Sequence, residues 1–234
     1  MAPSWLTVVA WLYLSVCFCC AAIVGSDIVI GGRRQPMGVM NFVYPITALY
    51  FGPVAVAFYW RWGRAAPRTA MPAMARHAHH GEPPRPWWVT IATEVSHCGS
   101  GCVLGDVVSE FAIFALALTI AGATLGAEYV GDYVLALAFG IVFQYFAIAP
   151  MRGLGLKDGL VAAAKADFIS LTAFEVGLFG WMAVMTFVLF PAPNQLMPNT
   201  AAFWLLMQVG MIIGFATAWP ANVWLVRRGI KVPM

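Results

Sequence analysis

Residues 94–122 read EVSHCGSGCVLGDVVSEFAIFALALTIAG, a run that holds one histidine, two cysteines, three carboxylates and three glycines before it becomes continuously apolar. At 100° per residue, Glu94, Cys98, Gly101, Gly105 and Ser109 fall within an arc of about 80° on a helix. Cys102, Asp106 and Glu110 continue that arc at four-residue steps, and His97 flanks it. Val103, Leu104, Val107, Val108 and Phe111 occupy the remaining surface and suit lipid or apolar packing. The stretch therefore predicts a helix whose polar, small-residue face looks into protein or a wet cavity.

The rest of the chain supplies the setting. Of 234 residues, 62% are hydrophobic and only 10% are charged, and the mean hydropathy is +0.80. Soluble domains carry about 25% charged residues, so the composition describes an all-α, polytopic membrane helix bundle. Apolar segments recur near the length of about 20 residues that a hydrocarbon layer of roughly 30 Å requires. Six spans are expected: Ser4–Val24 with an extension toward Ile30, Val39–Trp62, Trp87–Gly122, Tyr129–Ala149, Lys157–Phe190 and Ala201–Val226. The third, as one straight helix, would be about 54 Å long, so a kink near Gly99–Gly101 or an interfacial first turn is expected. The opening segment lacks a basic region and a small-residue cleavage site, and reads as a retained first helix.

Three regions follow: a two-helix hairpin at 1–62, a Pro/Arg/His-containing linker at 63–86, and a four-helix membrane domain at 87–234. Basic residues orient membrane helices toward the cytoplasm. With six spans, eleven of the thirteen Lys and Arg share one side and only Arg33 and Arg34 dissent. This predicts an inner-membrane protein with both termini cytoplasmic. Trp60, Trp62, Trp87, Trp88, Trp219 and Trp224 cluster toward the same side, as an interfacial belt does. The net charge of +3 follows from this topology, and no nucleic-acid partner is expected.

Intramembrane carboxylates are the costly feature. A charge at the bilayer centre costs about 2.5–3.5 kcal/mol even on a lenient insertion scale, so Glu94, Asp106 and Glu110 must be paired, protonated or hydrated. Lys165, Asp167 and Glu175 of the fifth span are the expected partners. Aligning the outer apolar ends places Glu175 near Glu110, Asp167 near Cys102, and Lys165 near Cys98–Gly101, where it could neutralise Glu94 or a thiolate. Lys165 and Asp167 have a simpler reading too, as a snorkelling or structural pair. The spacings Gly101-x-x-x-Gly105 and Gly210-x-x-x-Gly214 allow close helix approach.

The chemistry of this face points first to a small ion. Cys98 and Cys102 lie one helical turn apart, His97 adds imidazole, and Asp106, Glu110 and Glu175 add oxygen. Thiolates select soft ions, which makes copper and zinc the candidates. His77, His79 and His80 either collect metal at the cytoplasmic mouth or belong to a solvated linker. Cys17, Cys19 and Cys20 read as packing residues, since neither carboxylate nor histidine accompanies them on the first span. A thiol-redox protein cycling Cys98 and Cys102 is the alternative, but an i,i+4 pair makes poor disulfide geometry unless the helix breaks. A third reading is an accessory or scaffold subunit, in a homo-oligomer or larger membrane complex. No nucleophile elbow, dinucleotide fingerprint or zinc-protease signature occurs, which argues against an enzyme of those classes.

Four segments, SHCGSGCVLGD at 96–106, FAIAPMRGLGLKDGL at 146–160, KADFISLTAFEVGLFGW at 165–181 and WLVRRGIK at 224–231, together resemble a bacterial integral-membrane family, domain of unknown function 4396. The resemblance covers about residues 87–231 and implies the architecture of the last four spans rather than an activity. It also implies a histidine-rich stretch before the His-Cys motif, which here is only His77, His79 and His80.

Overall fold

A computed structural model describes residues 2–66 and 85–231. The chain is helical throughout: α1 (Ser4–Val29), α2 (Met40–Phe51), α3 (Pro53–Phe58) continuing into a π-helical turn (Tyr59–Gly63), α4 (Trp87–Leu116), α5 (Thr124–Arg152), α6 (Leu156–Val184) continuing into a second π-helical turn (Met185–Leu189), and α7 (Ala201–Arg227). Among the described residues, five of these helices are long and apolar enough to cross a membrane: α1, α4, α5, α6 and α7.

The expected second span is a different object. Gly52 adopts φ +54° and ψ −128°, a conformation that favours glycine, and Pro53 follows it. The helix breaks there and the chain doubles back. Tyr44 in the first arm and Tyr59 in the second have ring centroids only 5.2 Å apart, although a straight helix would separate their backbones by about 22 Å. Gln35 Nε2 donates to Gly63 O at 2.8 Å, and Arg33 donates to Ala65 O at 3.1 Å. Both arms thus open at one end of the bundle, with the Gly52 tip beside Tyr13 and Cys17, about halfway along α1. Residues 40–63 form a hairpin that doubles back on itself, so among the described residues five helices, not the expected six, are long and apolar enough to cross a membrane.

A broken helix inside a bilayer needs partners for its carbonyls. Tyr13 donates its hydroxyl to Tyr50 O at 3.2 Å, and Gln208 of α7 donates its amide to Leu49 O. The hairpin is therefore seated in protein, between α1, α4 and α7. Ser100 of α4 adds a hydrogen bond to Val43 O at 3.3 Å, and Phe51 packs edge-on to Phe215 at 5.0 Å.

The placement of the two ends of the chain differs from a bundle with both on one side. Ala10 and Leu14 of α1 pack against Ala201, Trp204 and Leu205 at the start of α7, so these two helices run parallel. The N-terminus and the C-terminus consequently lie at opposite ends of the bundle. α4 is antiparallel to α7, with Glu94 near the C-terminal Lys231 and Phe111 stacked on Trp204 at 5.1 Å. Every Lys and Arg in the described residues, Arg33 and Arg34 included, now falls toward one end, called here the basic end.

α4 is the central helix. It is α-helical without interruption from Trp87 through Gly99–Gly101 to Leu116, six residues short of the expected Gly122, and ends where Ala117 takes a left-handed conformation (φ 51°). From Ile91 to Val103 every residue is buried. The two glycines of its Gly-x-x-x-Gly motif meet α5 backbone to backbone: a Cβ on Gly101 would lie 2.7 Å from Gly140 Cα, and one on Gly105 would lie 2.6 Å from Ala136 Cα. The second glycine pair joins α7 to α6, where a Cβ on Gly214 would meet Phe174 O at 2.8 Å. Gly101→Ala is expected to cost about 1–3 kcal/mol by overpacking, measured as lost folded fraction in a denaturant titration in bicelles. Gly25→Ala, where a Cβ meets nothing within 4 Å, serves as the neutral control.

Candidate functional site

The polar face of α4 is enclosed by α5, α6, α7 and the tip of the hairpin. Six carboxylates are fully buried there: Glu94, Asp106 and Glu110 on α4, Asp132 on α5, and Asp167 and Glu175 on α6. Among the described residues the buried cations number one, Lys231.

At the basic end, Lys231 Nζ lies 3.3 Å from Glu94 Oε2 and donates to Asn222 Oδ1 at 3.1 Å. Asn222 in turn donates to Ser170 Oγ at 2.6 Å and to Ala218 O at 2.9 Å. Lys231 arrives by a sharp turn. Gly229 (φ +68°) ends α7, and the amides of Ile230 and Lys231 both return to Leu225 O, at 3.1 and 3.3 Å. Burial works against the ammonium, but Glu94 and then Asp167 hold its pKa above the ordinary lysine value.

One turn deeper, the Cys98 thiol adjoins Asp167, and one turn beyond that the Cys102 thiol adjoins Glu175. Neither carboxylate receives a well-formed hydrogen bond. The Tyr50 hydroxyl, on the hairpin, is fully buried beside Gly99 and within electrostatic range of both thiols. Farther along, Asp106 lies within electrostatic range of Glu175, Asp132 and Glu110. Glu110 neighbours Asp132, and half-buried Glu128 follows toward the opposite end. The groups form a staggered string along the helix axis. Among the described residues no three His, Cys, Asp or Glu converge as a metal would need.

His97, Cys98, Cys102, Asp106, Glu110, Glu175, Glu94 and Asp167 all lie buried on or against the polar face. His97 turns toward α5, where its ring stacks on Phe143 at 6.3 Å. The expected register is shifted: Asp167 sits beside Cys98 instead of Cys102, and Glu175 beside Cys102 instead of Glu110. α4 stops at Leu116, short of the expected Gly122, while the α6 helix continues to Leu189, and aligning these two ends brings Glu175 level with Cys102. Lys165 is exposed and does not join the site. Two residues of helix separate it from Asp167, a rotation of about 200°, so burying one turns the other outward. His77, His79 and His80 lie outside the described residues. All five cysteines are free thiols.

Three participants escaped the sequence reading: Lys231, Asp132 and Tyr50. Lys231 was counted with the orienting charges of the C-terminus, although Gly229 two residues before it signals a helix-ending turn. Asp132 lies in the third turn of α5, inside the expected fourth span, where the sequence reading gives it no role in the site. Tyr50 sits in an apolar run that carries no polar signal.

No curated protein and no solved structure matches the chain. Residues 87–231, from the first residue of α4 to Lys231, match the family described as a domain of unknown function (DUF4396), and the chain belongs to that family.

Proposed function

We propose that the protein conducts a small cation, with the proton as the ion that the geometry favours, along the polar face of α4 opposite α5 and α6. One observation carries this reading: among the described residues, six fully buried carboxylates share the interior with one buried ammonium. The difference leaves five negative charges uncompensated there. At about 2.5–3.5 kcal/mol each, even on the lenient scale, five ionised groups would cost on the order of 12–18 kcal/mol, comparable with or larger than the whole stability of a domain. Each therefore needs a proton or a small cation to neutralise it, and chains of Asp and Glu within membranes serve as proton relays.

Staggering favours the proton over a chelated soft metal. A held Cu or Zn ion needs convergent ligands, whereas a proton passes between neighbouring oxygens one step at a time. In this scheme Asp106, Glu110, Asp132 and Glu175 carry the exchange, and Asp167 with Cys98 links them to the basic end. The unbroken course of α4 through Gly99–Gly101 gives no support to a Cys98–Cys102 redox couple. The concentration of Lys and Arg at the basic end supports placing that end in the cytoplasm of an inner-membrane protein. The N-terminus is then outside and the C-terminus inside, and Arg33 and Arg34 no longer dissent.

The test is reconstitution into vesicles containing a pH-sensitive dye, with an imposed potassium diffusion potential. Wild-type protein is expected to accelerate dye acidification, and Asp106→Asn and Glu175→Gln to lower that rate about tenfold or more, within the range of a lost proton-transfer group. Parallel vesicles with Cu(I) or Zn(II) indicators and the Cys98→Ser/Cys102→Ser variant examine the soft-metal reading. Wild-type vesicles no leakier than empty ones to protons and metals alike would end the proposal.

A further inference from the structure

The C-terminal turn carries a cation into a pocket that other helices have already built. Glu94 comes from α4, Asp167 and Ser170 from α6, and Asn222 from α7, and each of the four is 1% exposed or less. Asn222 is oriented before any ligand arrives, since its amide nitrogen donates to Ser170 Oγ and Ala218 O. That arrangement aims Oδ1 at the ammonium, which it meets at 3.1 Å. The carboxylate of Glu94 completes the contact at 3.3 Å, and Asp167 lies nearby with both oxygens lacking hydrogen bonds. Two carboxylates and one amide oxygen surround a single positive charge, so the pocket still has negative charge to spare.

We propose that this pocket is a binding site for a free monovalent cation of the ammonium class, which Lys231 fills in cis as a tethered competitor. The donors are hard oxygens, which suit ammonium and alkali ions rather than soft metals. The polar contacts are those an alkylammonium would use: an N–H to a carboxylate and an N–H to an amide oxygen. The tether is short, because Lys231 is held by the Gly229 turn to the last residues of α7. A group linked in this way acts at a high effective concentration. Free cations then bind weakly to the intact protein and tightly once the lysine side chain is removed. The inference shares the polar face with the proposed conduction, but it concerns occupancy and not flux, so either can fail alone.

The experiment uses the full chain in detergent. Thermal unfolding is followed while choline chloride is replaced, at constant ionic strength, by ammonium, methylammonium, potassium or sodium chloride. Lys231→Ala is expected to gain several degrees from ammonium or methylammonium, with half-saturation about tenfold or more below that of the wild type. Glu94→Gln/Lys231→Ala is expected to lose the gain. A folded Lys231→Ala protein that responds to ammonium no differently than to choline overturns the inference. Should Lys231→Ala not fold, amine acylation of the wild type read by mass spectrometry decides. Lys231 is expected to react more slowly than exposed Lys157 and Lys165, and its rate relative to theirs in the same sample is expected to rise when methylammonium, which also consumes reagent, displaces it. Reaction as fast as theirs, or no such relative rise with methylammonium, overturns the inference equally.

Discussion

Substituting Glu94 by leucine is expected to lower stability by about 3–5 kcal/mol, the cost of leaving one member of a buried ion pair without its partner. The Lys231 ammonium is 2% exposed and its two close oxygen contacts are Glu94 Oε2 and Asn222 Oδ1. Removing the carboxylate leaves a desolvated charge on a short tether. Its escape to the aqueous phase requires the Gly229 turn to open and the amides of Ile230 and Lys231 to release Leu225 O. The double variant Glu94→Leu/Lys231→Met should recover most of the loss, because apolar pairs of similar volume often replace a buried ion pair without penalty. Equilibrium unfolding in bicelles measures all three proteins, and the coupling in the cycle reports the pair itself. A Glu94→Leu protein as stable as wild type would show that Lys231 is not buried against it.

A second large effect concerns topology. Cysteines introduced as Arg34→Cys and Arg228→Cys are expected to react with a membrane-impermeant maleimide from the same side, in inverted vesicles and not in right-side-out cells. A cysteine replacing Ser4 should show the reverse. The prediction is all or none, because position 34 follows α1 at the end where the hairpin arms open and α7 finishes, while Ser4 begins α1 at the other. A six-span arrangement would place positions 34 and 228 on opposite sides. The native thiols interfere little: Cys98 and Cys102 are fully enclosed, and Cys17, Cys19 and Cys20 lie within the apolar α1.

The hairpin shows why hydropathy alone miscounts. Residues 39–62 are apolar over a length that spans a bilayer, and the single break at Gly52–Pro53 barely alters that sum. Whether such a break kinks a span or reverses it depends on what receives the freed carbonyls. Tyr13 and Gln208 receive them, and they lie on two other helices. The dissent of Arg33 and Arg34 was the visible trace of the reversal.

The site divides in the same way. The inward turn of Glu94, Cys98, Cys102, Asp106 and Glu110 was legible, because a helix of fixed period must put them on one face and lipid rejects that face. Asp167 and Glu175 were legible as partners for the same reason. Lys165 was the natural choice to neutralise Glu94 by position along the chain, yet the rotation between it and Asp167 excludes it.

Composition, length and helical period were enough to indicate an all-helical chain with helices long and apolar enough to cross a membrane and one polar face buried among them, since each is a sum over neighbours along the chain. Packing alone chose α5 as the helix that touches Gly101 and Gly105, turned the apolar stretch at 40–63 back on itself, and delivered the ammonium of Lys231 to Glu94. Those outcomes depend on contacts between segments remote in sequence, where the shapes of two surfaces and the demand to satisfy buried polar groups act together, and no local pattern encodes them.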